Sequence, residues 1–427
     1  MAVSSVRKNY SYLFGILVVM VYFVGLLIVN RGLGFKNALV IVGAMILYYV
    51  ANVFNVYTSK YRLRDMIIVT GINVIIALAT IFLKIFNYYE GIIIFGIMAM
   101  FQIAFRYIVI TGLVGRQRIM FVGENGYTND LLESIKVDEQ YKLIGFLKNE
   151  ESSTIEKTIT NLWKSKRMDI VVDFSENLLS DAKLVDKLLE YKLEGMQYYN
   201  YLEFYEMYER KLPISDLSPE WFLKNTGFEI YHNSFNLKAK RILDLIFAVI
   251  ISICVFPIMI LAAIIIKLES KGPVFFIQER IGEGNKPFKI IKFRSMTTDA
   301  EKDGPKWAVK NDNRVTKWGK IMRATRIDEL PQLWNVLKGE MSFVGPRPER
   351  EFFIQQLEKE IKYYNLRHTV KPGLTGWAQV MYPYGASVED AYRKLQYDLY
   401  YIKNHDLLFD VKVLLKTVNI VIFGKGR

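Results

Sequence analysis

The sequence predicts a membrane α-helical bundle, then a Rossmann-like α/β domain, then an α/β, mostly helical domain that contains a re-entrant membrane helix. Three observations lead to this fold class. Apolar residues are dense before residue 115 and again at about 242–266, as is typical of membrane segments. Strand and helix patterns alternate in the polar part between these two blocks. The domain boundaries that follow are 1–116, 117–225 and 226–427.

The first domain contains four apolar stretches, each close to the ~20 residues that a helix needs to cross the hydrocarbon layer. The first stretch is too long for the apolar region of a signal peptide, so we expect it to be retained. Lys and Arg are more frequent at the start, in the second loop and at the exit than on the opposite side, which places both ends of the bundle in the cytoplasm. The stretches are 12–30, 37–56, 66–86 and 91–115.

The second domain begins with a buried-strand pattern at 118–123 and has another at 168–173. The turn from Gly123 to Gly126 is a fragment of the glycine-rich dinucleotide fingerprint, with Asn125 where the second glycine belongs. That glycine lets the backbone approach a pyrophosphate. A structural or regulatory role is therefore favoured over dinucleotide binding.

The apolar block at 242–266 lies near the start of the third domain, and its path through the membrane can be interpreted in two ways. Pro257 lies in the middle of it, where it removes a helical hydrogen bond and kinks the chain. Basic residues flank both of its ends, whereas a spanning helix is expected to show asymmetry. We therefore favour a helix that enters the membrane, breaks at Pro257 and returns, over a kinked fifth span. A fifth span would also remove 268–427 from the cytoplasm.

Composition limits the chemistry. The single cysteine, Cys254, excludes a disulfide framework, and three scattered histidines argue against zinc. A hard cation such as Mg²⁺, held by carboxylates and phosphates, is the expected metal. The net charge of +13 suits anionic lipid or a phosphate-bearing substrate, and no nucleic-acid-binding motif is present, so no nucleic-acid partner is expected.

An acidic pair, Asp328 and Glu329, stands among Arg323 and Arg326. Pro331 suits the first turn of a helix that Gly339 ends, which places the pair just before a helix N-terminus. Such a group suits phosphoryl transfer, because one carboxylate can attack or hold a metal while cations neutralise the transferred group. The alternative is a charged helix start with ordinary capping acids.

Further basic residues lie near this pair in sequence. Lys292 and Arg294 follow a strand pattern, and Arg347 stands between Pro346 and Pro348. Bracketing prolines limit backbone freedom, so the planar guanidinium is presented in a fixed direction that suits phosphate. A solvated basic face is the alternative, and it fits Lys292 better than Arg347.

Taken together, several motifs in order across 240–427 resemble the bacterial sugar transferase family, the polyprenyl-phosphate phosphoglycosyl transferases with a single re-entrant helix. With its four helices and α/β domain, the chain looks like the long, initiating form of that family. The motifs are Lys240-Arg-Ile-Leu-Asp244, Gly272-Pro-Val-Phe-Phe276, Lys292-Phe-Arg-Ser-Met296, Asp328-Glu-Leu-Pro-Gln-Leu333, Ser342-Phe-Val-Gly-Pro-Arg-Pro-Glu349 and Lys371-Pro-Gly-Leu-Thr-Gly-Trp-Ala-Gln379.

The resemblance implies a ping-pong transfer of sugar 1-phosphate from a UDP-sugar to undecaprenyl phosphate, with release of UMP. Asp328 would attack the phosphate, Glu329 would hold Mg²⁺, with Asp328 as a second possible ligand, and Pro257 would set the helix break. The implied substrate-binding residues are Lys292, Arg294, Arg323, Arg326, Arg347 and, in a Tyr-Asp-x-Tyr-Tyr motif, Asp398.

The same resemblance implies the setting of the enzyme. We expect a multi-pass protein of the bacterial inner membrane, with a cytoplasmic catalytic domain, the lipid bilayer as a partner and a homodimeric state. The transfer reaction would be the first step in the synthesis of a capsule, an exopolysaccharide or an O-antigen. The transferred sugar stays open.

Two alternative functions fit the sequence less well. A membrane-tethered nucleotide-sugar dehydratase would need an intact glycine fingerprint and a Tyr-x-x-x-Lys pair, and 117–225 contains neither. A membrane scaffold with a degenerate transferase domain would be expected to have lost the acidic pair or its arginines, and these are present.

Overall fold

The computed structural model of the chain falls into two compact units, Met1–Phe204 and Tyr205–Arg427. The division into three domains remains a prediction. The residues that the structure describes are 2–29, 34–50, 62–82, 84–108, 116–138, 140–148, 150–175, 178–228, 234–298, 312–383, 385 and 387–423.

Four apolar helices open the first unit, and they coincide with the four predicted stretches. Parts of those stretches, 51–56 and 109–115, lie outside the described residues. Within the described part of this unit, Tyr88–Phe105 is long and apolar enough to cross a membrane, and three shorter apolar helical segments accompany it. The helices are α1 (Ala2–Ile28), α2 (Phe35–Val50), α3 (Arg62–Phe82) and α4 (Tyr88–Ile108).

The helical bundle has an apolar core that includes Phe14, Tyr22 and Phe95. A buried polar chain crosses this core from α2 to α4. Tyr48 Oη donates to Asn73 Oδ1 (2.5 Å), and Asn73 Nδ2 donates to Gln102 Oε1 (2.8 Å). Polar side chains in such bundles hydrogen-bond across helices, so this chain links three of the four helices.

The rest of the first unit is an α/β domain with a four-stranded sheet in the order β2-β1-β3-β4, and all of its pairings are parallel. Its strands are β1 (Gln117–Val122), β2 (Tyr141–Leu147), β3 (Ile170–Asp173) and β4 (Gln197–Asn200). Its helices are α5 (Thr128–Val137), α6 (Ser152–Lys164), α7 (Ala182–Leu193) and α8 (Tyr201–Glu209), which continues into the second unit. The predicted α/β arrangement and both predicted strands are confirmed.

The second unit is mostly helical, with a two-stranded antiparallel hairpin, β5–β6, and a short parallel pair, β7–β8. Its helices are α9 (Pro219–Lys224), α10 (Ser234–Glu269), α11 (Lys317–Thr325), α12 (Leu333–Lys338), α13 (Glu351–Glu360), α14 (Trp377–Met381), α15 (Val388–Lys403) and α16 (Leu407–Phe423). Its strands are β5 (Phe275–Ile281), β6 (Pro287–Phe293), β7 (Ser342–Val344) and β8 (Gly373–Thr375).

Helix α10 contains the second apolar block. It has 36 residues, which would measure about 54 Å if straight, against ~30 Å of hydrocarbon. Its helical conformation continues across Pro257. Side chains in its middle are largely exposed, with Ile253 at 70% and Phe256 at 60%. An apolar helix surface this exposed is typical of a site that contacts a membrane or another protein.

Both ends of α10 contact the rest of the second unit. Near the start, the Arg241 guanidinium donates to the carbonyl oxygens of Val336 and Leu337 at the end of α12. Near the end, Ala262 and Ile266 pack in a cluster with Phe293, Met322 and Ile327. The middle of the helix lies between these two anchored regions.

Candidate active site

The acidic pair lies in a tight turn between two helices. Helix α11 ends at Arg326, which adopts a left-handed conformation (φ 61°), and a 3₁₀ turn, Ile327–Gln332, follows. Helix α12 then ends at Gly339, also left-handed (φ 86°), so the predicted stop is confirmed. Pro331 lies within the 3₁₀ turn, and its predicted place in the first turn of the α-helix is wrong, because the tighter turn continues through Gln332.

Glu329 is surrounded by three basic side chains. Arg347 donates from both terminal nitrogens to its two carboxylate oxygens, with Nη1 to Oε2 at 3.5 Å. Lys292 Nζ lies 3.5 Å from Oε1, and Arg326 Nη1 lies 3.7 Å from Oε2. Burial alone would raise the pKa of Glu329, but the charges of Arg347 and Lys292 outweigh it and hold that pKa well below its usual value. Glu329 is therefore ionised at every physiological pH.

Asp328 has a different environment, although it is adjacent in sequence. It is 8% exposed, and its Oδ1 has no hydrogen-bond partner among the described residues. Burial, and next the charge of Glu329, raise the pKa of Asp328 to about 6, against the opposing charges of Lys292, Arg323 and Arg347. A carboxylate oxygen that accepts no hydrogen bond keeps its lone pairs available to attack an electrophile.

Lys292 and one further basic residue, Arg323, complete this group. Lys292, on β6, is buried, and burial lowers its pKa to about 8 in spite of the nearby charge of Glu329. Arg323, near the end of α11, donates from Nε to Ser295 Oγ at 2.9 Å, and its charge acts on Asp328. The structure thus brings together Asp328, Glu329, Lys292, Arg323, Arg326 and Arg347.

Arg294 directly follows β6, and its side chain contacts the residues just after the end of α10. It is 6% exposed, and its guanidinium donates to the carbonyl oxygens of Lys271 and Ser270 at 2.8 Å each, and to Ser270 Oγ at 2.9 Å. These bonds fix the turn that follows α10. Its predicted contact with a substrate phosphate remains a prediction.

Asp398 is buried on α15, where its Oδ2 accepts from Arg367 Nη2 at 2.9 Å. Burial raises the pKa of Asp398 to about 6, and the charge of Arg367 opposes this rise. Arg367 was missed by the sequence reasoning. It stands four positions before Lys371 in a polar run, and nothing in that run indicates that the side chain is buried.

The glycine turn of the α/β domain has a local explanation. Gly123 has a positive φ of 80°, and a Cβ there would lie 2.4 Å from the Ser175 backbone nitrogen. Asn125 Oδ1 accepts from the Tyr127 backbone N–H (3.0 Å) and from the Thr128 hydroxyl (3.2 Å). The glycine therefore permits close packing of two loops at the carboxyl end of the sheet.

A carboxylate with a free lone pair, beside a second carboxylate and four basic side chains, is suited to chemistry on phosphate esters. In keeping with this class of site, a sequence model of the family described as Bacterial sugar transferase matches residues 235–424. Several relatives are 40% or more identical to part of the chain, and one of them is matched over 73% of its own length. The chain belongs to the bacterial sugar transferase family.

Three relatives illustrate the similarity. A UDP-N-acetylgalactosamine-undecaprenyl-phosphate N-acetylgalactosaminephosphotransferase of Aeromonas hydrophila is 49% identical over 187 residues, 44% of this chain and 44% of the relative. A UDP-glucose:undecaprenyl-phosphate glucose-1-phosphate transferase of Klebsiella pneumoniae is 45% identical over 188 residues, 44% of this chain and 40% of the relative. A putative undecaprenyl-phosphate N-acetylgalactosaminyl 1-phosphate transferase of Bacillus subtilis is 51% identical over 131 residues, 31% of this chain and 73% of the relative. The chain thus matches less than half the length of the first two.

Proposed function

We propose that this protein is a polyprenyl-phosphate sugar-1-phosphate transferase, which moves a sugar 1-phosphate from a UDP-sugar to undecaprenyl phosphate and releases UMP. The observation that carries the proposal is the buried Oδ1 of Asp328, which has no hydrogen-bond partner among the described residues and lies beside a cluster of basic side chains. The names of the relatives support both substrates. This reaction would begin the assembly of a capsule, an exopolysaccharide or an O-antigen.

In the first step, Asp328 Oδ1 attacks the phosphorus that bears the sugar. A phosphorus–oxygen bond forms to the carboxylate, and the bond from the same phosphorus to the bridging oxygen breaks. UMP leaves with that electron pair, and a phosphosugar–aspartate adduct remains. The pKa of about 6 leaves Asp328 mostly ionised at neutral pH, as this attack requires.

In the second step, a phosphate oxygen of undecaprenyl phosphate attacks the same phosphorus. The bond to Asp328 breaks, the carboxylate is restored, and the lipid diphosphate sugar is released. Two displacements at one carboxylate replace a single direct reaction between two anionic substrates.

The basic residues neutralise the anions that meet at the site. Arg347 and Lys292 contact Glu329 and add charge next to Asp328, so a phosphate attacked by Asp328 lies within their reach. Arg323 acts on the same carboxylate. Arg326 is about half exposed, which suits contact with a substrate that enters from solvent.

Mg²⁺ fits this site only together with the substrate. Among the residues that the structure describes, no group of three or more His, Cys, Asp or Glu side chains is positioned to hold a metal. Mg²⁺ is usually bound by one or two carboxylates plus substrate phosphates, and Asp328 and Glu329 supply that number. When bound, it would reduce the charge repulsion between the carboxylates and the diphosphate.

The membrane setting is also part of the proposal. Arg241 contacts α12, and Ile266 belongs to an apolar cluster against which Ile327 packs, in the turn that leads into α12. A straight helix would separate residues 241 and 266 by about 38 Å, so contacts of both with neighbouring parts of one unit support a helix that bends back. We propose a re-entrant α10 in the bacterial inner membrane, four spanning N-terminal helices and a cytoplasmic catalytic domain.

The test is an assay of UMP release. Purified full-length protein in lipid nanodiscs with undecaprenyl phosphate and Mg²⁺ is screened against a panel of UDP-sugars, beginning with UDP-N-acetylgalactosamine and UDP-glucose. The expected result is UMP release with one donor, and ³²P from the β-phosphate of that donor on the protein when lipid acceptor is omitted. Release of UDP, or transfer with no labelled protein, would contradict the proposal. Light scattering of the same sample tests the proposed homodimer.

A further inference from the structure

We propose that Arg367 is a positioning residue that fixes the direction of the Arg347 guanidinium, and that Asp398 holds Arg367 in place. The inference rests on the proposed function, because it concerns the residue that meets the transferred phosphate. It also gives Asp398 a different role from the substrate contact that the sequence suggested.

The contacts form a continuous chain. Arg367 Nη2 donates to the carbonyl oxygen of Arg347 and to Oδ2 of Asp398, at 2.9 Å each, and Nη1 donates to the Tyr364 hydroxyl. The side chain of Arg347 in turn grips both oxygens of Glu329. Arg367 therefore contacts the backbone of the residue whose side chain reaches the acidic pair.

The backbone just before Arg347 is fixed independently. Gly345 N donates to the Thr375 carbonyl at 2.9 Å, and Gly373 N donates to the Pro346 carbonyl at 3.0 Å. A Cβ on Gly345 would lie 2.3 Å from the Lys371 carbonyl oxygen, so the two segments are in close contact. With Pro346 held on one side, the bond from Arg367 to the Arg347 carbonyl holds the other side.

A contribution to stability alone does not explain well why the Arg367–Asp398 ion pair is buried. Arg367 is 9% exposed, Asp398 1% and Tyr364 2%, so an ion pair has been removed from water. The free-energy cost of desolvating two charges often equals or exceeds the energy of their attraction. A buried ion pair is therefore better explained where it fixes a geometry. Here the geometry is that of Arg347, which must meet the transferred phosphate in a planar, bidentate way.

The test is a double-mutant cycle in the UMP-release assay. Arg367→Lys keeps the positive charge but loses the planar guanidinium with its two terminal nitrogens. Asp398→Asn keeps the shape of the side chain but loses its negative charge. We expect each to lower kcat/KM by about 10–100-fold, the usual cost of removing a supporting partner, mainly through kcat. If Arg367 acts through Arg347, adding Arg367→Lys to Arg347→Ala should cause little further loss.

Several outcomes decide the matter. Lys403→Gln removes the partly buried ion pair with Glu206 at 2.6 Å, so it controls for the loss of an ion pair as such, and near-normal kcat is expected. Full additivity with Arg347→Ala, or equal losses in Lys403→Gln and Arg367→Lys, would overturn the proposal. If Arg367→Lys does not fold, the cycle with Asp398→Asn decides by the same criterion. Absence of UMP release by the unmodified protein would instead reject the proposed function.

Discussion

Asp328 and Glu329 are adjacent in the chain, yet Arg347 donates to both carboxylate oxygens of Glu329, while the buried Oδ1 of Asp328 has no hydrogen-bond partner in the part of the chain that the structure describes. Their pKa values are displaced in opposite directions for this reason, upward for Asp328 and downward for Glu329. Two neighbouring carboxylates whose environments displace their pKa values in opposite directions are suited to two different roles. The unpartnered oxygen suits attack, and the gripped carboxylate organises the cations.

The first prediction concerns the proposed nucleophile. Asp328→Asn replaces the nucleophilic carboxylate by a neutral amide, so we expect UMP release to fall by about 10⁴-fold or more, as is found for other lost nucleophiles. The ³²P-labelled protein should also disappear. UMP release and the thermal midpoint are measured on the same sample, and near-normal release would reject the covalent mechanism.

The second prediction concerns Glu329. Glu329→Gln removes the negative charge that orients Arg347 and Lys292. It also removes a carboxylate that is proposed to bind Mg²⁺. We expect kcat to fall by about 10²–10³-fold, the range typical of lost electrostatic groups. The Mg²⁺ concentration needed for half-maximal rate should rise. An unchanged Mg²⁺ dependence would remove Glu329 from the proposed metal site.

The third prediction is a bell-shaped pH profile of kcat/KM. Asp328 must be ionised to attack, and its pKa is about 6, so activity should fall as pH drops below about 6. Lys292 must be charged to neutralise phosphate, and its pKa is about 8, so activity should fall as pH rises above about 8. Glu329 does not contribute, because its pKa lies well below this range.

Lys292→Arg is the control for the profile. Arginine stays charged to high pH, so the alkaline limb should move upward while the acid limb stays near pH 6. A profile of the unmodified protein that is flat between pH 5 and 7 would contradict an ionised Asp328 as the attacking group.

Periodicity and charge predicted the helices, the α/β domain and the acidic pair, because these are local properties of the chain. The roles of Arg294 and Arg367 depend on distant partners. Arg294 donates to a residue 24 positions away, and Arg367 to one 31 positions away. A guanidinium that binds a buried carbonyl and one that binds phosphate look the same in sequence, so only the fold separates them. Arg347 was easier to predict, since two prolines restrict its own backbone.

The fourth prediction separates these two roles for Arg294. Arg294→Ala leaves the carbonyls of Ser270 and Lys271 without these donors, so we expect the free energy of unfolding to fall by about 2–4 kcal/mol. Arg393→Ala is the control. It breaks an exposed i,i+4 pair with Glu389 and should change stability by no more than about 0.5 kcal/mol. Unchanged stability with a raised KM for the UDP-sugar would instead assign Arg294 to the substrate phosphate.

The last prediction concerns the path of α10 through the membrane. Lys238 and Lys271 are exposed residues that flank its apolar part, and Cys254 is the single cysteine, so a Cys254→Ala background allows one cysteine to be placed at either position. If α10 bends back, Lys238→Cys and Lys271→Cys should both react with a membrane-impermeant maleimide in inside-out vesicles, and neither in right-side-out vesicles. The background protein without an added cysteine is the control for nonspecific labelling. Labelling of the two positions from opposite sides would show a fifth span, and it would place the acidic pair on the side without nucleotide donors, against the proposed reaction.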